Sequence, residues 1–396
     1  MNTALAGQPA GPAEPLPPRR RLAAAVAFAL LFVPLFFLPE ATARLLGYGG
    51  LIVALAAVRD GRTLAGVLRT PPLLAVAAYL GFVLVSVSWS GRPPAQLVEF
   101  AGRYLNILAF VATTGLLLLT VPEARRLAER AFVAAGAVAA LAAIVAAFTA
   151  PGGYERLTGF GASENAVVVA ILYGAALIVL AFRLWPATTG AAGRTLLAAA
   201  GVVLVLALVL SKSRGPMMAA AVTLGLGLLM QGREGRRAAV ALIVVGTVGV
   251  LSTIGIDGIL ERGFSLRLEI WRQALEQVRD APWFGTGSAA PMSFDTTVGF
   301  EVLFAHSIVL SALLNTGVVG LALLLGMLAV LAGHAARAAR DGDPLPAALL
   351  AFTLLYGLVD RQLDLRNLNP EYMTIWYAAG LLAGRAHRAA VNAPSG

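Results

Sequence analysis

Three sets of residues have the types and spacing needed to hold an anion and move a proton. The first is Ser211-Lys212-Ser213-Arg214-Gly215, which interrupts two apolar runs and contains the chain's only lysine. Backbone N–H groups at the start of the following helix would face an anion. A guanidinium there can grip phosphate oxygens in a bidentate manner. The second is the segment from Ser265 to Asp280, in which Ser265 is a candidate N-cap. At helical spacing Arg267, Trp271, Ala274 and Val278 share one face, and Glu269, Arg272, Glu276 and Arg279 share the other. Arg272 and Arg279 can pair with carboxylates on their own face. Arg267 lies on the apolar face, where a lone cation is costly and requires an anionic partner. That partner is either a carboxylate of the protein or a phosphate of a ligand. The third is His306, whose imidazole titrates near neutral pH and can serve as a general base.

The elements that must carry these residues are membrane helices. Of 396 residues, 59% are hydrophobic and only 13% are charged, against about 25% charged in an ordinary soluble domain. The apolar residues come in long runs, such as Leu22–Leu38, Thr195–Leu210 and Ile308–Leu331. About 18 or more apolar residues suffice for a helix to cross a bilayer. The period-2 alternation of a membrane β-barrel is missing. We therefore expect an all-α polytopic membrane protein with about twelve spans, near 22–39, 44–58, 71–90, 100–121, 130–150, 164–183, 195–211, 215–231, 238–255, 304–333, 345–360 and 371–386. Residues 1–21 read as a disordered N-terminus, 256–303 as the largest outer loop, with the surface helix inside it, and 389–396 as a short tail. With no cysteine and three histidines, a His/Cys zinc site is not expected. The net charge of +9 is better explained by membrane orientation than by nucleic acid.

Arginines supply that orientation. With the N-terminus inside, every inner segment holds at least two: Arg19/20/21, Arg59/62/69, Arg125/126/130, Arg183/194, Arg233/236/237, Arg337/340 and Arg385/388. This fits the positive-inside rule and puts both termini in the cytoplasm. His334 and His387 fall on that side. Twelve basic residues break the bias, among them Arg92, Arg103, Arg156, Lys212, Arg214, Arg267 and Arg361. They are not needed for orientation, and each is a candidate for another role.

Four stretches together resemble the O-antigen ligase and O-antigen polymerase superfamily of bacterial inner membranes. Trp89-Ser90 and the polar turn after it resemble the family's early outer turn. Arg156-Leu-Thr-Gly-Phe-Gly-Ala-Ser-Glu-Asn165 resembles its RxTG…N stretch, and Ser211–Gly215 its SxSRG motif. Arg267…Trp271…Pro282…Gly285-x-Gly287…His306…Gly317…Gly320 resembles its C-terminal pattern. The chain departs from the family at Glu164, where Pro is common, and at Ser307, where Asn is common. The resemblance implies a GT-C-like glycosyltransferase acting on the periplasmic face, inverting and metal-independent, with no cofactor. The donor would be a glycan on undecaprenyl pyrophosphate, and the acceptor lipid A–core or another glycan. It implies that Arg214, Arg267 and His306 are the catalytic residues, with Arg214, Arg267 and Lys212 on the pyrophosphate. Asn165, Arg156, Arg103, Ser213 and Trp271 are further candidates for substrate contact. A polysaccharide polymerase, a protein-glycosylating oligosaccharyltransferase with the same donor, and a transporter or lipid flippase are the competing readings; membrane lipids are expected as further partners and nucleic acid is not.

Overall fold

The computed structural model describes residues 17–58, 60–150, 155–229, 265–297, 299, 301–363, 365 and 368–393. The expected ninth span, with Arg59, Arg233, Arg236, Arg237, Arg262 and Arg366, lies outside the described residues. Thirteen helices organise the rest. They are α1 (Pro18–Ala29), α2 (Glu40–Val58), α3 (Gly61–Leu68), α4 (Pro71–Ser86), α5 (Pro94–Thr120), α6 (Pro122–Thr149), α7 (Ala166–Ala187), α8 (Ala191–Leu210), α9 (Arg214–Leu229), α10 (Ser265–Val278), α11 (Ile308–Arg340), α12 (Leu345–Val359) and α13 (Ile375–Val391). Seven of them are long and apolar enough to cross a membrane: α2, α4 (extended by one 3-10 turn to Trp89), α5, α6, α7, α8 and α11. Helices α9 and α12 are shorter and apolar. The protein is thus an α-helical, multi-pass membrane protein.

Local chemistry accounts for several boundaries. Helices α4, α5 and α6 each start on proline, which needs no N–H partner in a first turn. The expected first span is broken. Helix α1 ends at Ala29, and a 3-10 turn over Val33–Phe36 comes next, because Pro34 removes a donor and its ring blocks the preceding carbonyl. Helix α5 starts at Pro94, six residues before the expected edge of its span, so Arg103 sits more than two turns inside the helix.

The core lies around α7 and α13. Ten consecutive residues of α13, Ile375–Gly384, are buried, and Tyr173, Ala175 and Ala176 of α7 are fully enclosed. Small residues let α13 lie against α5: a Cβ on Gly384 would stand 2.7 Å from the Gly115 carbonyl oxygen. Helix α7 loosens into a π turn over Leu180–Leu184, which carries Arg183.

Helix α11 is not continuous. At Gly317 the backbone turns to φ 64°, a conformation that L side chains avoid. The loop before α11 sutures the break. Thr286 and Gly287 donate N–H bonds to the carbonyls of Leu314 and Asn315, and Val318 and Val319 donate to Pro282 and Trp283. A Cβ on Gly317 would lie 2.3 Å from the Trp283 carbonyl. Of the spaced glycines, Gly287 bonds the loop to the helix through its N–H, and Gly285 and Gly317 leave room for the close approach.

Candidate functional site

The four motif stretches meet in pairs. Arg156 donates from Nε to the Ser211 carbonyl (2.7 Å) and from Nη2 to Ser213 Oγ (2.9 Å). Ser213 Oγ in turn donates to the Ala166 carbonyl at 2.8 Å. The RxTG stretch therefore fastens the SKSRG turn to the start of α7. Asn165 caps that helix, its Oδ1 accepting from Val167 and Val168. Arg156, Ser213 and Asn165, expected as substrate contacts, have structural partners here. On the other side, the Trp89–Ser90 turn docks on the loop that leads to α11. Ser288 donates its N–H to Ser86 Oγ at 3.1 Å, and the rings of Trp89 and Phe284 meet edge to face.

Helix α10 buries Ala274 of its expected apolar face, with Trp271 and Val278 packed beside it, and also Ile270, which the pattern did not place there. Ile270 and Ala274 are buried against Phe294, Val302, Ala305 and Leu314. Arg272 is exposed and pairs with Glu276 at 3.1 Å. The loop closes under this helix as a short antiparallel ladder between Phe294–Asp295 (β1) and Glu301–Val302 (β2), the one β element among the described residues. Two residues of the apolar face carry polar groups, and both reach segments beyond the helix. Trp271 Nε1 donates to the Ala305 carbonyl at 3.0 Å. Arg267 Nη2 lies 2.6 Å from Asp360 Oδ1.

Asp360 is the hub, and sequence reasoning did not single it out. It comes directly after α12 and is 8% exposed. One carboxylate oxygen takes Arg267. The other lies against the first turn of α9, where a Cβ on Gly215 would stand 2.5 Å from Oδ2. Its carbonyl stands 3.1 Å from His306 Nδ1. Asp360 thereby gathers the neighbour of Arg214, the guanidinium of Arg267 and the ring of His306. The anion expected at the start of α9 is here a carboxylate of the chain itself. Arg361, next in sequence, pairs with the buried Glu371 at 2.7 Å.

The hydrogen bond sets the chemistry of His306. A carbonyl can only accept, so Nδ1 carries the proton and Nε2 is the basic nitrogen. Burial pushes the imidazole pKa below its usual value, and the Arg267 charge adds to this, against the opposing bond and charge of Asp360. The ring is therefore neutral at neutral pH. Its backbone has φ 50°, and Lys212 has φ 51°; these are the two non-glycine residues with positive φ among the described residues. Such strain, of order 1–3 kcal/mol, persists where surrounding contacts impose it and concentrates at functional sites. Ser307, where the family commonly has Asn, caps α11 by accepting from Leu310. Ser and Asn are equivalent caps, so this departure leaves the placement of His306 intact. Arg103 stands apart from the cluster, paired with Glu99 and stacked over Phe100.

A family model described as O-Antigen ligase matches residues 199–325, which include Arg214, Arg267, His306 and the sutured glycines. An O-antigen ligase of Pseudomonas aeruginosa is 28% identical over 324 residues, covering 79% of this chain and 77% of that protein. The chain is thus similar to O-antigen ligases over most of its length.

Proposed function

We propose that this protein transfers a glycan from undecaprenyl pyrophosphate to a hydroxyl of lipid A–core, at the periplasmic face of the bacterial inner membrane and with both termini in the cytoplasm. The observation that carries the reading is the convergence on Asp360 of a neutral, correctly tautomerised histidine and of Arg267, held on an otherwise apolar helix face. In the reaction, the acceptor oxygen bonds to the anomeric carbon from the face opposite the pyrophosphate, which inverts that centre. The bond from this carbon to the pyrophosphate oxygen breaks, and its electron pair leaves with the lipid pyrophosphate. The hydroxyl proton passes to His306 Nε2. Arg267 uses one Nη2 contact on Asp360 and retains further donors for phosphate oxygens. With Arg214 and Lys212 at the start of α9 it stabilises the leaving charge, the part that a divalent cation takes in many sugar transferases.

The test is reconstitution of the purified protein with lipid-linked glycan and lipid A–core. Glycosylated lipid A–core is the expected product. Near-normal transfer by a well-folded His306→Ala protein would overturn the assignment of the base. Extension of the lipid-linked glycan with lipid A–core left unmodified would make the protein a polymerase.

A further inference from the structure

A cavity of about 490 Å³ lies beside the Asp360 cluster, within the range of roughly 300–1,000 Å³ typical of small-molecule sites. It shares two walls with the cluster. Ile308, two residues after His306, lines it, and so does Gln362, two residues after Asp360. It reaches Tyr79, about 10 Å down α4 from Ser86 at 1.5 Å per residue.

The lining is unusual for a gap between membrane helices. Ser311 and Asn315 stand on successive turns of α11, one above the other. Both line the cavity. Ser311 Oγ and Asn315 Oδ1 are buried and have no hydrogen-bond partner, and Ser311 is 4% exposed. A buried polar atom left unmatched costs about 1–3 kcal/mol, so two on one helix face point to a ligand that satisfies them. An alkyl chain would not; hydroxyl groups would. Arg92 stands at the rim, exposed, with Nε held by the Ala289 carbonyl at 2.9 Å. This bond fixes the guanidinium and leaves its other donors for a ligand. Arg103, paired with Glu99, lines the same rim, over the Phe100 ring at 4.9 Å. The lining cations thus outnumber the lining carboxylates by one.

We infer that this cavity is the acceptor subsite and that it takes a sugar bearing an anionic substituent, phosphate or carboxylate, with Ser311 and Asn315 bonding its hydroxyls and Arg92 its anion. The inference rests on the proposed transferase activity. The polar pair sits on the first two turns of α11, the helix that begins just after His306, so a sugar seated there lies next to the proposed base.

Steady-state kinetics test it, with lipid-linked glycan as donor and either intact or dephosphorylated lipid A–core as acceptor. For Arg92→Gln and Asn315→Ala the acceptor KM should rise about tenfold, while the donor KM and kcat stay near those of the unmodified protein. Removal of the acceptor phosphates should raise the KM of the unmodified protein similarly and that of Arg92→Gln far less. An equal penalty in both proteins would place the anion contact elsewhere and overturn that half of the inference. An unchanged acceptor KM in Asn315→Ala and in the conservative Ser311→Ala, or a raised donor KM, would overturn the subsite itself. Absence of transfer to any acceptor by the unmodified protein would instead refute the transferase reading, a distinguishable outcome.

Discussion

Two charged clusters flank one helix, and they are built differently. Asp360 comes after α12, and Asp343 precedes it, about 25 Å away along the helix axis. At the Asp343 end, Arg183 lies 3.2 Å from Asp343 and 3.6 Å from Glu129. Arg125 approaches Glu129 at 3.8 Å, Tyr377 donates to Glu129 at 2.8 Å, and Arg385 reaches both Asp341 and Asp343. Three arginines meet three carboxylates there, and Glu129 is 1% exposed. This cluster joins α6, the π turn of α7, the α11–α12 connection and α13. At the Asp360 end, one carboxylate holds one guanidinium, whose side chain is 29% exposed, and the carbonyl of the same residue holds the histidine. The first cluster is charge-balanced, enclosed around Glu129 and open only at its Arg385–Asp341 edge, and it ties helices together. The second is partly open and keeps donors and a base in reserve. The two ends therefore differ at their centres: Glu129 is enclosed by its partners, whereas the Arg267–Asp360 pair is half-open.

Breaking each cluster should separate these roles. Glu129→Ala leaves Arg125 buried without its carboxylate and Arg183 with Asp343 alone, at a cost of about 3–5 kcal/mol. Loss of folded, monodisperse protein in detergent is the expected result, seen by size-exclusion chromatography. His306→Ala should leave the melting temperature nearly unchanged and reduce kcat by about 10²–10⁴-fold, the usual contribution of a general base. A fall in stability as large as that of Glu129→Ala would erase the contrast between the clusters. The pH profile refines it. The neutral imidazole is the active form, so activity is present above its pKa and lost as the pH falls through it. Because burial lowers that pKa, the acid limb should lie below the ordinary histidine value of about 6.5. In Arg267→Ala, residual activity should show this limb displaced upward, because the repelling cation is gone. The smallest effect is expected for Arg272→Ala. Its exposed pair with Glu276 contributes about 0.3–0.5 kcal/mol, and activity and melting temperature should both stay close to those of the unmodified protein.

The range of each interaction decides whether it was legible in sequence. The amphipathic face of α10 was readable because its pattern is local, and Arg267 stood out by breaking it. Its partner was not readable: Asp360 lies 93 residues away, in a stretch with no periodic signal. The break in α11 was hidden inside one apolar run, since Gly317 is tolerated in many helices, and only its bonds to Pro282–Gly287 force the turn. The glycine and proline spacing was visible, but its structural purpose appears only when the two segments lie side by side. Of the regular arginine segments, those of Arg183 and Arg385 meet at one end, where both share Asp343. Charge counting, however, assigned Arg125, Arg183 and Arg385 to orientation alone. Their burial depends on Glu129 and Asp343, which lie on other elements.

The suture at Gly317 also defines what can be exchanged between relatives. Its four N–H bonds run between 282–287 and 314–319, so these two stretches form one cassette although the loop and the helix would ordinarily be counted as separate parts. A chimera cut between them, at the start of α11, would graft a loop whose donors and acceptors no longer match the helix it meets. A cut made ahead of Pro282 and beyond Val319 carries the whole joint, with His306, Ser311 and Asn315 inside it, and moves the proposed base and the proposed acceptor wall as one inheritable unit.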